Sequence, residues 1–190
     1  MNKYTLLLLV ILIAFLSCDG RDRVHKTPKE VLTENKLLDS FSENIQYFPK
    51  EYTETITDTI LSNGFRVKIK TFTDMDNSVL DEFKQNNIHH KHYYRNNVST
   101  ILVTKNEIIF DELIDENFFI KHDNRQKDFF EELNLQGVWI DDEKSTLNSN
   151  VSIDVLFCKP ETDICEYFNI KIENNGTFKI KNITEEKDTY

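Results

Sequence analysis

Apolar positions along the chain fall into distinct regimes. Residues 6–16 are eleven consecutive apolar residues, and residues 19–27 then hold one apolar position in nine. At Thr27-Pro28-Lys29-Glu30 an N-cap threonine, a proline at the first helical position and a glutamate at the third predict a helix start. Val31, Leu32, Leu38, Phe41 and Ile45 continue a helical stripe, so a helix is expected over 28–38 and a looser segment to Phe48. From Tyr52 the period changes to two, in runs of β-branched residues. Residues 52–60 and 65–73 flank Ser62-Asn63-Gly64, where Asn-Gly supplies the positive φ angles of a tight hairpin. Residues 98–104 and 107–113 form a second pair turning at Lys105-Asn106. Helical spacing returns over 117–135, with Phe118, Phe119, Phe129, Phe130 and Leu133 as the expected buried set. Four more strands follow at 137–140, 151–158, 165–172 and 177–183, with turns at 160–163 and 174–176. The pattern predicts an α+β fold, mostly antiparallel, with about eight strands in hairpins and a C-terminal meander and two or three peripheral helices. One β-rich globular domain is expected over 28–190.

Register in the C-terminal meander follows from burial. If Cys158 stands opposite Cys165, Val155 faces Phe168, Ile153 faces Ile170 and Val151 faces Ile172, three apolar pairs on one side. Leu156 with Tyr167, Asp154 with Asn169 and Ser152 with Lys171 take the other side. A slip of one residue would set apolar against polar at each core position. Opposed cysteines at a non-hydrogen-bonded pair have Cα atoms ~4.5 Å apart, within reach of a disulfide. A Cys158–Cys165 bridge is therefore expected, the alternative being two thiols kept reduced.

The first eighteen residues raise the question of address. An eleven-residue apolar run is too short to span a bilayer, which takes ~20 helical residues. With the basic start Met1-Asn2-Lys3 and the small Ser17, it has the grammar of a secretory signal. An ordinary cleavage site prefers small residues at −1 and −3, whereas Phe15 is bulky. Leu16-Ser17-Cys18 instead resembles a bacterial lipobox: an apolar residue, a small residue and an obligatory cysteine, with Phe15 and Leu16 as departures from the usual pattern. The resemblance implies a signal peptide over 1–17, acylation (palmitate-type chains) at Cys18, a flexible tether over 18–27, and the membrane as partner through those chains. The location implied is the bacterial cell envelope, the outer membrane rather than the inner, facing periplasm or cell surface. A plain signal peptide followed by an ordinary cysteine is the alternative. Nineteen asparagines, beside many Ile and Lys, add a resemblance to small Bacteroidota lipoproteins with domains of unknown function, which implies a location and no mechanism.

Charge narrows the partners. The chain carries 23 basic and 33 acidic residues, spread without a block of five like charges, which argues against nucleic acid because phosphate binding needs a basic face. Four glycines cannot assemble a phosphate loop, and H-E-x-x-H, G-x-S-x-G and C-x-x-C are all missing. No cofactor is called for and no catalytic residues are assigned. His89, His90 and His92 are weak metal candidates; in an extended segment His90 and His92 share a face, but two imidazoles need a third ligand. The bland alternative is a solvated polar loop. Asp74 opens a calcium-loop-like stretch with Val79 where the turn glycine belongs, and a helix start at Ser78 is the better reading. Asp58-Thr59-Ile60 resembles the O-glycosylation signal of exported Bacteroidota proteins, making Thr59 a candidate acceptor. The expected function is a non-catalytic binding or accessory domain on a lipid anchor, with a protein or glycan partner. The alternatives are an inhibitor or immunity-type protein that captures a cationic enzyme with its acidic surface, and, further off, a hydrolase.

Overall fold

A computed structural model describes residues 26–35, 37, 43–86, 88–122, 127–147 and 149–187, with the backbone alone at Lys127. Cys18, the signal segment and nearly all of the tether lie outside the described residues. Close contacts divide the chain into two units, Met1–Asn44 with Lys84–His89, and Ile45–Phe83 with His90–Tyr190.

In the first unit, α1 (Pro28–Glu34) begins as its sequence dictates. The Thr27 hydroxyl accepts from the Glu30 N–H at 3.3 Å, and the Glu30 carboxylate accepts from the Thr27 N–H at 2.7 Å. This reciprocal box satisfies two donors that a helix start leaves open. The helix ends sooner than the stripe predicts, and position 38 is outside the described residues.

The strands form two antiparallel sheets, most of whose residues belong to the second unit. The first comprises β1 (Glu43–Phe48), β2 (Glu54–Ile60), β3 (Arg66–Gln85), β4 (Ile88–Lys105) and β5 (Glu107–Ile114) in the order β1-β4-β3-β2, with β5 also on β4. The second is a meander of β6 (Asn134–Ile140), β7 (Asn150–Cys158), β8 (Cys165–Glu173) and β9 (Phe178–Asn182). Short helices α2 (Glu116–His122), α3 (Lys127–Phe130), α4 (Asp142–Leu147) and α5 (Thr184–Lys187) connect and flank them. The predicted class therefore holds, with nine strands and five short helices among the described residues.

Both predicted hairpin turns form: Gly64 and Asn106 have φ of 86° and 68°. A Cβ at Gly176 (φ 82°) would stand 2.9 Å from the Ile109 carbonyl oxygen, so this turn needs glycine for space as well as conformation. The β7–β8 register is the one burial selects, from Val151↔Ile172 to Cys158↔Cys165. All six apolar residues of those pairs are fully buried. They join Val67 and Ile69 of β3, Ile101 and Val103 of β4, and Phe118, Phe119 and Phe130 of the helices in one core.

Three expectations need correction. Residues 43–48 form strand β1, not the looser segment expected there; Ile45 and Tyr47 alternate with Asn44 and Gln46, and pairing with β4 overrides the helical stripe that includes Ile45. The helix expected at Ser78 is interior to β3. Asp74 there takes the Asp76 N–H at 2.9 Å and the Asn77 amide at 2.7 Å, so the polar cluster satisfies itself within an extended strand. The helical stretch expected to reach Leu135 stops at Phe130, since Asn134 and Leu135 already belong to β6.

Candidate functional site

His90, His92 and Tyr94 alternate along β4, so the pleat puts them on one face. Phe83 from β3 stacks on His90 with ring centroids 4.7 Å apart and meets His92 edge-on at 5.1 Å. Phe48 from β1 lies 5.3 Å from both His92 and Tyr94. His90 and His92 are themselves 6.1 Å apart. The histidines thus stand half-buried in a strand, not in a solvated loop, and the extended-segment geometry applies to them. Among the described residues no three His, Cys, Asp or Glu side chains gather as a metal site.

The ladder ends on the hairpin tip that the cysteines close. Cys158 and Cys165 are bridged, with Cα atoms 4.1 Å apart. Beyond them the Lys159 N–H donates to the Ile164 carbonyl at 2.9 Å, and the Thr162 N–H donates to the Lys159 carbonyl at 3.3 Å. Glu161 takes a left-handed conformation (φ 57°) at the loop apex. Its carboxylate accepts a 2.7 Å hydrogen bond from the Tyr94 hydroxyl. A cavity of about 140 Å³ beside this contact is lined by Val79, Leu80, Asp81, Glu132, Lys159 and Pro160. Lys159 in it is paired with Glu132 at 2.6 Å.

Burial, then the hydrogen bond to the Glu161 carboxylate and the nearby charges of Glu161 and Asp81, hold the Tyr94 phenol above the usual tyrosine range. Because the folded value is the higher one, the stability this contact contributes is complete below pH ~10 and falls as pH climbs toward that value. Spectrophotometric titration of the wild type and Tyr94→Phe should show the variant lacking one late-ionising tyrosine. Loss of an ordinary tyrosine instead would contradict the contact.

Alternate residues of β4 build a second cluster. Tyr47 stacks on Tyr93 at 4.9 Å, and the Arg95 guanidinium lies 4.9 Å over the Tyr47 ring while Nη1 donates to the Pro49 and Lys50 carbonyls. A cation over an aromatic face is held by the ring quadrupole. Large apolar side chains are exposed on β1 and β3: Ile45, Met75, Leu80 and Phe83.

The polar groups on the far side of the meander serve the fold. Asp154, 1% exposed, accepts from Asn169 at 2.7 Å and pairs with Lys187 at 3.1 Å. The adjacent Ser152 N–H donates to Ser145 of α4 at 2.9 Å. Helices α4 and α5 thereby close over a polar face that alternation leaves on β7. In the open cleft of about 510 Å³ beside β9, Glu166 is likewise committed, to Asn182 and Thr184.

Thr59 lies within β2, opposite Val67, and is half-buried. Phe48, Phe83, Tyr94 and Glu161 are the ladder members that sequence reasoning missed. The alternation of His90, His92 and Tyr94 is the one local signal for them; the others arrive from distant strands and a loop. No family model and no curated protein matches the chain.

Proposed function

We propose that the chain is a lipid-anchored envelope protein whose folded part is a non-catalytic binding domain, contacting a protein partner through the strands that carry the aromatic ladder. The observation that carries the binding reading is the set of large apolar side chains left exposed on β1 and β3, with Ile45 52% and Leu80 44% exposed. Apolar side chains left exposed on a sheet supply surface that a partner can cover. Aliphatic Ile45, Met75 and Leu80 among the aromatics favour a protein surface over a glycan, which would use flat rings alone. The address rests on the run at 6–16 and on Cys18 directly after Ser17.

Capture from detergent-solubilised envelopes, with the full-length protein as bait, tests this reading. Wild type should retain a stoichiometric protein, and the double substitution Ile45→Glu, Leu80→Glu should weaken retention by roughly 30-fold, the scale of a binding hot spot of ~2 kcal/mol, with an unchanged melting temperature. Equal capture by both forms would sink it. The acidic surface favours a second reading, inhibition of a cationic enzyme, for which capture should collapse as salt rises. Contact through apolar side chains should survive the same salt.

A further inference from the structure

We propose that the protein forms a two-fold dimer through the free edge of β2, with Thr57 of one copy opposite Thr57 of the other. The edge is defined by hydrogen-bond parity. The Leu61 N–H donates to the Phe65 carbonyl at 2.8 Å, and the Thr73 N–H donates to the Thr53 carbonyl at 2.9 Å. Between these two points the β2–β3 register runs unbroken from Glu54↔Phe72 to Ile60↔Arg66. Bonding direction alternates along a strand. The threonines at 55, 57 and 59 therefore bond to β3, and Glu54, Ile56, Asp58 and Ile60 turn their N–H and C=O groups away from it. Among the described residues β2 pairs with β3 alone.

Proteins blunt such edges with charged side chains, lysine above all, or with proline, a bulge or a covering element. Each other edge strand has one of these. Strand β9 carries Lys179 and Lys181, β1 runs into Pro49, and β6 is bulged between Leu135 and Gly137. Strand β5 has a register shift against β4 and meets the Gly176 turn at Ile109. Strand β2, ETITDTI, has no lysine, no proline and no bulge; its two charges, Glu54 and Asp58, are each paired with a cation of β3, and Ile56 and Ile60 stand exposed on it.

Charge selects the register and, with it, the occupant. Two copies related by a two-fold must pair outward-bonding residues with outward-bonding residues. Centring on Ile56 sets Glu54 against Asp58 of the second copy, and centring on Asp58 sets that carboxylate against itself; like charges directly opposed are destabilising. Centring on Thr57 sets Ile56 against Asp58 and Glu54 against Ile60, with no like charges opposed. In this register each carboxylate meets an isoleucine while keeping its own cation: Arg66 Nε and Nη2 reach the two Asp58 oxygens at 2.8 and 2.9 Å, and Lys70 lies 2.9 Å from Glu54. The same centre puts Thr57 against Thr57 and Thr55 against Thr59 at the close spacing of non-hydrogen-bonded pairs, where threonines bond across strands. The edge is thus self-complementary, as an isologous contact requires.

Strand pairing alone makes a small interface, of the class under ~1,200 Å² that dissociates readily. Sedimentation of the purified full-length protein in mild detergent, over roughly 1–100 μM, should show reversible conversion to twice the 22.5 kDa chain mass. Ile56→Pro removes an outward N–H without touching the β3 ladder and should abolish the dimer. Thr57→Cys places the new thiols ~4.5 Å apart by Cα, so mild oxidation should give a covalent dimer in most of the protein. Ile56→Cys, diagonal to its own copy at ~7–8 Å, should stay at the wild-type background. A monomer throughout, with no Thr57→Cys cross-link, overturns the proposal, including a monomer whose β2 takes up a foreign strand. A dimer that cross-links through Ile56→Cys as well as through Thr57→Cys overturns the register. If Ile56→Pro does not fold, the pair of cysteine variants decides alone.

Discussion

Phe119→Ala is expected to lower the unfolding free energy by about 3–5 kcal/mol, the usual cost of deleting a buried phenylalanine. Phe119 is fully buried, and its ring centroid lies 4.8 Å from Phe168, 5.3 Å from Phe157 and 6.0 Å from Phe130. It is the side chain through which α2 is fastened to strands β7 and β8 and, past them, to α3. Phe157 and Phe168 are themselves fully buried in regular strands, so neighbours have little freedom to close the void. The loss is a large share of the ~5–15 kcal/mol that holds a domain together. Urea unfolding should show a reduced midpoint at unchanged slope. Leu147→Ala, at a position 76% exposed, should stay within about 0.5 kcal/mol of wild type. Equal stability of Phe119→Ala and wild type would mean that the core is not assembled around this ring.

The parts of the fold that were legible in the sequence are those governed by short-range period and burial. The β7–β8 pairing could be read because one register sets three apolar pairs together and a slip of one residue sets polar residues against those core positions, and the observed partners Val155↔Phe168 and Ile153↔Ile170 are those pairs. The turns at Gly64 and Asn106 could be read because few residues tolerate positive φ. Strand β1 and the outer half of β3 could not. Their local sequences carry helix-compatible spacing at Phe41 and Ile45, and N-cap grammar at Ser78, and both are overruled by pairing with strands distant along the chain. The candidate site was only partly visible for the same reason. His90 and His92 announce themselves, but Phe48, Phe83 and Glu161 reach them from elements that no local pattern connects.

The second large effect concerns attachment. Cys18→Ala is expected to remove the mature, membrane-bound form almost completely. Acyl chains contribute ~0.8 kcal/mol per buried CH₂, and one chain gives only marginal, reversible binding where two give a stable anchor. Every methylene of that anchor would hang from the Cys18 sulfur and amino group, and alanine offers no sulfur to carry a thioether-linked diacylglycerol. The variant should accumulate as unprocessed precursor retaining residues 1–17, or as a soluble form. The acid excess of the chain, 33 acidic against 23 basic residues, offers no substitute attraction to anionic headgroups. Folding of the β-rich part should be unaffected, so urea unfolding of the variant should match wild type.

Intact-mass measurement of the protein extracted from envelopes tests the lipid-anchored reading most directly. The predicted result is a chain that begins at Cys18 and carries the added mass of a thioether-linked diacylglycerol, with the bridged Cys158 and Cys165 two hydrogen atoms lighter than their thiols. A mature, membrane-bound chain that begins at another residue, or that begins at Cys18 with an unmodified thiol, would contradict it.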